Sequence, residues 1–196
     1  MSVAAARDRF RTHMDETFKL LVALDGAVRL GTLWMEDNVA RFPDATLHAG
    51  VGPAATPKVM SAPFPMSEAV QVLQGHKGLV VELIHGRVVQ WWYEFLQEVF
   101  EALLREHLTG GKQRSKFERV DLRLEAGDGA PLVDAVVAGA GRNFSFMKSY
   151  DRLGTVARLL GKELDADAVA LQRRHIMLRN VIEHSGGVLR EEDLRP

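Results

Sequence analysis

The segment from Leu79 to Leu108 constrains the fold more than any other stretch of the chain. Leu83, Ile84, Val88, Trp91, Trp92, Phe95, Leu96, Val99, Phe100, Leu103 and Leu104 recur at spacings of three and four. That period belongs to a helix, and a stripe this wide must be covered on several sides. The segment therefore predicts a long central helix surrounded by other helices, ended by Thr109-Gly110-Gly111. Trp91, Trp92 and Phe95 are read as core, with stacking on nucleic-acid bases as the competing use.

The rest of the chain supplies those neighbours. Phe10, Met14, Phe18, Leu21, Leu24 and Val28 predict an amphipathic helix over Val3 to Met35, with its later turns weakened by Gly26 and Gly31, where a break is one option. Further helices are predicted over Ser67 to Leu73 and Leu132 to Ala138. Another, capped by Asn143 or Ser145, runs to Leu160, and a last one, capped by Asp165 or Asp167, runs to about His184. Five of the seven prolines, Pro43, Pro53, Pro57, Pro63 and Pro65, fall between Phe42 and Met66 and predict a long loop or extended arm. The expected class is all-α, a bundle of four to five main helices with an N-terminal helix and a Pro-rich arm. Residues 1–66 are read as an extension and 67–196 as the main helical domain.

Composition narrows the chemistry. The chain has no cysteine, which excludes disulfides, thiolate metal sites and a cysteine nucleophile, and fits a cytoplasmic setting. No apolar run approaches the roughly 18 residues of a membrane span, and Met1 to Arg11 has no apolar stretch of the signal-peptide kind. No metal or cofactor is expected. Glu82 with His85 lacks further ligands, and Gly139-Ala140-Gly141 lacks the strand and third glycine of a dinucleotide site. The net charge is −1, so binding to a polyanion requires a local patch. Lys112, Arg114, Lys116 and Arg119 form the most basic stretch, with a plain solvated loop as the alternative.

The candidate chemistry lies on the last helix, in Arg179-Asn180-Val181-Ile182-Glu183-His184, followed by Ser185-Gly186-Gly187. Arginine grips phosphate through a bidentate fork. Histidine changes charge near neutrality, and in a final turn the helix dipole favours its protonated form by about 0.3–1 kcal/mol. At about 100° per residue, Leu171, His175, Leu178 and Ile182 share one side, expected to face the core. Arg179 and His184 flank that side about 140° apart, so one helix does not bring them together. His175 is read as a core or interface histidine, and Arg173 and Arg174 as extensions of a phosphate-binding surface. Spacing alone discriminates poorly, because Arg7 with His13 and Arg41 with His48 repeat the pairing loosely, and a histidine is also an ordinary helix-end residue.

In its placement, however, the stretch resembles the signature of HEPN domains, an arginine, a polar residue and then a histidine on the last core helix. The order of helices from about Val80 to Leu194 is similar as well. The resemblance implies a helical bundle that dimerises with two motif helices facing each other. It implies a metal-independent endoribonuclease of toxin–antitoxin or defence systems, or a binding module that has lost catalysis. Arg179 would hold the scissile phosphate, Asn180 would orient it or bond the neighbouring chain, and His184 would act as general acid/base. The implied partners are RNA, a second copy, and an antitoxin or other regulatory protein. HEPN toxins regulated by a small nucleotidyltransferase carry a tyrosine two residues after the histidine; Gly186 stands there in this chain.

Overall fold

The structure is a computed structural model describing residues 2–48, 50–51, 58–59, 62–76, 78–110, 117 and 132–184. It is mostly helical, as the apolar periodicities require. In chain order the elements are α1 (Val3–Arg41), β1 (Thr46–Leu47), β2 (Gly50–Val51), β3 (Lys58–Val59), β4 (Phe64–Pro65), α2 (Met66–Gly75), α3 (Leu79–Leu108), α4 (Leu132–Ser145), α5 (Ser149–Leu160) and α6 (Ala166–His184). The chain divides into two compact units, one made of residues 1–17 and 85–196, the other of residues 18–84. The N-terminal stretch 1–66 is thus shared between them.

The first unit holds the larger core. Leu96, Val99, Phe100, Leu103 and Leu104 of α3 pack with Val137, Ala140 and Phe144 of α4, Val156 and Leu159 of α5, and Ala6 of α1. Phe100 and Phe144 stack with ring centroids 4.4 Å apart. Trp92 and Phe95 pack against this cluster as expected. Trp91 instead stacks on His13 at 3.8 Å, with the Arg87 guanidinium 4.0 Å from its ring centroid.

One expectation about this unit is corrected. Asn143 and Ser145 do not cap the following helix, because α4 continues through both of them to Ser145. The turn is closed from the other side. Arg152 of α5 reaches back to donate to the carbonyls of Met147, at 3.0 Å, and Ser145, so a guanidinium satisfies acceptors that the end of α4 leaves open. At the next junction the sequence signals hold. Gly161 takes φ 65° and ends α5, and Asp165 Oδ1 accepts the Ala168 N–H at 2.7 Å at the start of α6.

In the second unit, α1 runs without a break past Gly26 and Gly31 to Arg41, a turn and a half beyond the expected end. Intrahelical pairs support it, Arg29 with Asp25 at 2.7 Å and Arg41 with Asp37 at 2.9 Å. It stops where Pro43 disfavours a helical Phe42. The Pro-rich arm is also corrected. Its described parts are tied into two antiparallel ladders, Thr46↔Pro65 with Leu47↔Phe64, and Gly50↔Val59 with Val51↔Lys58. The Met66 N–H then donates to Ala45 at 2.8 Å, and Met35, Met66 and Ala69 form a small core with Val39, Leu47 and Leu73. Proline forbids long ladders but tolerates these short ones, at whose ends it falls.

Candidate functional site on the last helix

α6 begins at the Asp165 cap and ends at His184. Its orientation differs from the one expected. Leu171 and Leu178 are 55% and 46% exposed, His175 is exposed and Ile182 half-buried, so the stripe does not face the core. Val169, Gln172 and Ile176 turn inward instead, and near the end of the helix Val181 is buried at 3%. α6 carries more than one apolar line, and periodicity alone does not say which line the core takes.

The candidate residues fall as follows. Arg179 is half-buried, with its Nη2 2.5 Å from Glu183 Oε2 one turn on and its Nη1 donating to Asn180 Oδ1 at 3.2 Å. The structure thus brings Arg179 and Asn180 together, with Glu183 as a third member that the sequence reading did not single out. An acidic residue four positions after an arginine on a helix was the available signal. His184 is the last residue of α6, and its side chain lies outside the described residues. Arg173 and Arg174 are exposed, and the Arg173 guanidinium lies 5.4 Å from the Tyr150 ring centroid. Lys112, Arg114, Lys116 and Arg119 lie outside the described residues. Among the described residues, no group of three or more His, Asp or Glu side chains is arranged to hold a metal ion, and no helix is long and apolar enough to cross a membrane.

One turn before Arg179, His175 Nδ1 lies 3.2 Å from His85 Nε2 of α3, a pairing across ninety positions that no local pattern reveals. Burial first, and the neighbouring His175 second, push the His85 pKa below its ordinary 6.5. The sign of the consequence is definite. Just below 6.5 the unfolded chain takes up a proton that the folded one resists, so His85 makes stability fall as the pH drops through that value. The wild-type thermal midpoint is therefore expected to fall further between about pH 7.5 and pH 5 than that of His85→Gln. Equal falls would show that protonation of His85 is not coupled to folding.

No protein-family model matches this chain, and no curated protein or solved structure matches it significantly.

Proposed function

We propose that the chain is a metal-independent endoribonuclease of the HEPN type, a cytoplasmic toxin or defence effector that works as a homodimer. The observation that carries this reading is the outer face of α6. Leu171, His175 and Leu178 are exposed close to Arg179 and Asn180, so the motif helix offers an apolar line against which a second copy can pack. Because about 140° separates Arg179 from His184 on one helix, two-fold pairing is what completes each site, an arginine from one chain with a histidine from the other.

In this reading Arg179 grips the scissile phosphate, and Asn180 orients it or bonds the facing helix. His184 serves as general acid/base while the 2′-OH of the RNA attacks its own phosphate. The bond to the 5′ oxygen breaks, leaving a 2′,3′-cyclic phosphate and a free 5′-OH. Arg173, Arg174 and the basic segment with Lys112, Arg114 and Lys116 follow the RNA backbone.

A specific observation favours the second reading, a HEPN-like module without catalysis that binds a protein or nucleic-acid partner. The Arg179 guanidinium is already engaged by Glu183 and Asn180. One assay separates the two. Incubated with mixed RNA in EDTA, the wild type is expected to cleave and His184→Ala to lose at least about 10²-fold in rate. A wild type that binds RNA or protein without cutting leaves the silent module, and an equally active His184→Ala removes the role given to that histidine.

A further inference from the structure

In the second unit, α1 carries an apolar face that stays exposed. Leu20, Leu24, Leu30 and Trp34 are 50%, 40%, 70% and 57% exposed. Ala23 and Ala27 lie between them and are exposed as well, and a Cβ added at Gly31 would meet nothing within 4 Å. At about 100° per residue these positions fill one sector about 120° wide. Asp25, Arg29 and Thr32 fall outside it, so from Leu20 to Trp34 the sector holds no polar side chain. A helix face of this kind is one that packs against another surface.

The order of side-chain sizes restricts what that surface can be. Counted outward from Ala27 in the two directions, Leu24 mirrors Leu30, Ala23 mirrors Gly31, and Leu20 mirrors Trp34. Large residues answer large ones and small residues answer small ones, so the face is complementary to itself when turned end for end. In an antiparallel pair centred on Ala27, each mirrored couple becomes a contact between copies. The small residue at the two-fold axis lets the helices approach to about 8 Å, the close end of helix packing. Charge selects the same arrangement. Lys19 and Asp37 border the two ends of the face and stand at the same angle around the helix, hence on one flank. An antiparallel two-fold brings like flanks together, so Lys19 of each copy comes within about 3 Å of register with Asp37 of the other. A parallel pair joins opposite flanks and forfeits both meetings. Asp37 holds Arg41 of its own helix at 2.9 Å, and a carboxylate has room for a second cation.

The size of the unit gives a third reason. Residues 18–84 have a small core cluster of Met35, Met66 and Ala69. Units below about 70–80 residues supplement such a core with disulfides, a metal or association, and the chain has no cysteine for a disulfide. We propose that α1 packs antiparallel against α1 of a second copy of this chain, with Ala27 at the two-fold axis. The contact uses none of the α6 residues given to pairing above, and it does not depend on the ribonuclease reading.

The cysteine-free sequence makes any introduced thiol unique. Full-length Ala27→Cys is expected to form a disulfide-linked dimer under mild oxidation, because the axis holds its two copies within the roughly 7 Å Cα separation that a disulfide tolerates. Ala23→Cys alone and Gly31→Cys alone are expected to link at least about tenfold more slowly, since the register sets each about 12 Å from its own copy. Mixed, those two variants are expected to link readily to each other. Leu33→Cys, 61% exposed but off the face, measures random collision and is expected to be equally slow. Ala27→Glu, added to both mixed chains, sets two carboxylates together at the axis and is expected to abolish their linkage. Leu178→Cys reads the α6 pairing separately, so the loss of one contact is distinguished from the loss of the other. Ala27→Cys linking no faster than Leu33→Cys, Ala23→Cys linking to itself as fast as Ala27→Cys does, or a mixed pair indifferent to Ala27→Glu would each overturn the proposal.

Discussion

Phe144→Ala is expected to destabilise the protein by about 3–5 kcal/mol, the range for deleting a buried aromatic ring. Phe144 is only 2% exposed and is among the largest fully buried side chains of the first unit. It stacks face to face on Phe100, with 12° between the rings, and it joins α4 to the centre of α3. Alanine would remove that contact and leave a ring-sized void among residues held by three other helices, which limits how far the site can collapse. Urea unfolding followed by helical circular dichroism measures the change. A loss below about 1.5 kcal/mol would mean that α4 is not packed as described, because that is less than the transfer term alone.

The second large effect tests the composite site. Arg179→Ala and His184→Ala are each expected to be nearly inactive as purified homodimers. Unfolded together and refolded as a mixture, they should recover about a quarter of wild-type cleavage, since half of the dimers are mixed and each mixed dimer holds one complete site of two. The gain over either parent would be at least about 25-fold, given the 10²-fold losses expected of the single variants. A mixture no more active than its parents would place arginine and histidine of the same chain in one site. Such an arrangement is hard to reconcile with their separation on a straight helix.

What the sequence made legible was set by local signals. α3 was readable to the residue because its apolar stripe is wide and bounded by Gly110, whose φ of 78° ends the run. Gly161 and Asp165 marked the junction of α5 and α6 for similar reasons, each acting within one turn of its own position. The misreadings share the opposite cause. Asn143 and Ser145 look like caps by residue type, but the groups at that turn are satisfied by Arg152 from beyond it. The β1–β4 pairing joins residues seventeen and nineteen apart, through prolines that locally argue against any strand. The turns weakened by Gly26 and Gly31 stay helical, because a glycine weakens a helix by only about 1 kcal/mol and the neighbouring turns outweigh it.

The candidate site was legible in part. Arg179 and Asn180 were singled out by residue type and placement, and their side chains hydrogen-bond to each other. The direction in which α6 faces was not legible. Leu171 and Leu178 are as apolar as Val169 and Ile176, and the choice between them is made by neighbours far away in the chain. The His85–His175 pair belongs to the same category, as a meeting of distant residues without a local signature.

The Arg179–Glu183 pair carries a consequence for how the end of α6 behaves under load. A phosphate that takes the Arg179 fork must first evict a carboxylate from it. The evicted Glu183 then stands one residue before the C-terminus of the helix, where a negative charge opposes the helix dipole and no longer has a cation to offset it. An anion on Arg179 would thus compete with the one described ion pair that spans the last turn of α6, at a cost of about 0.3–0.5 kcal/mol, the worth of such a helical pair.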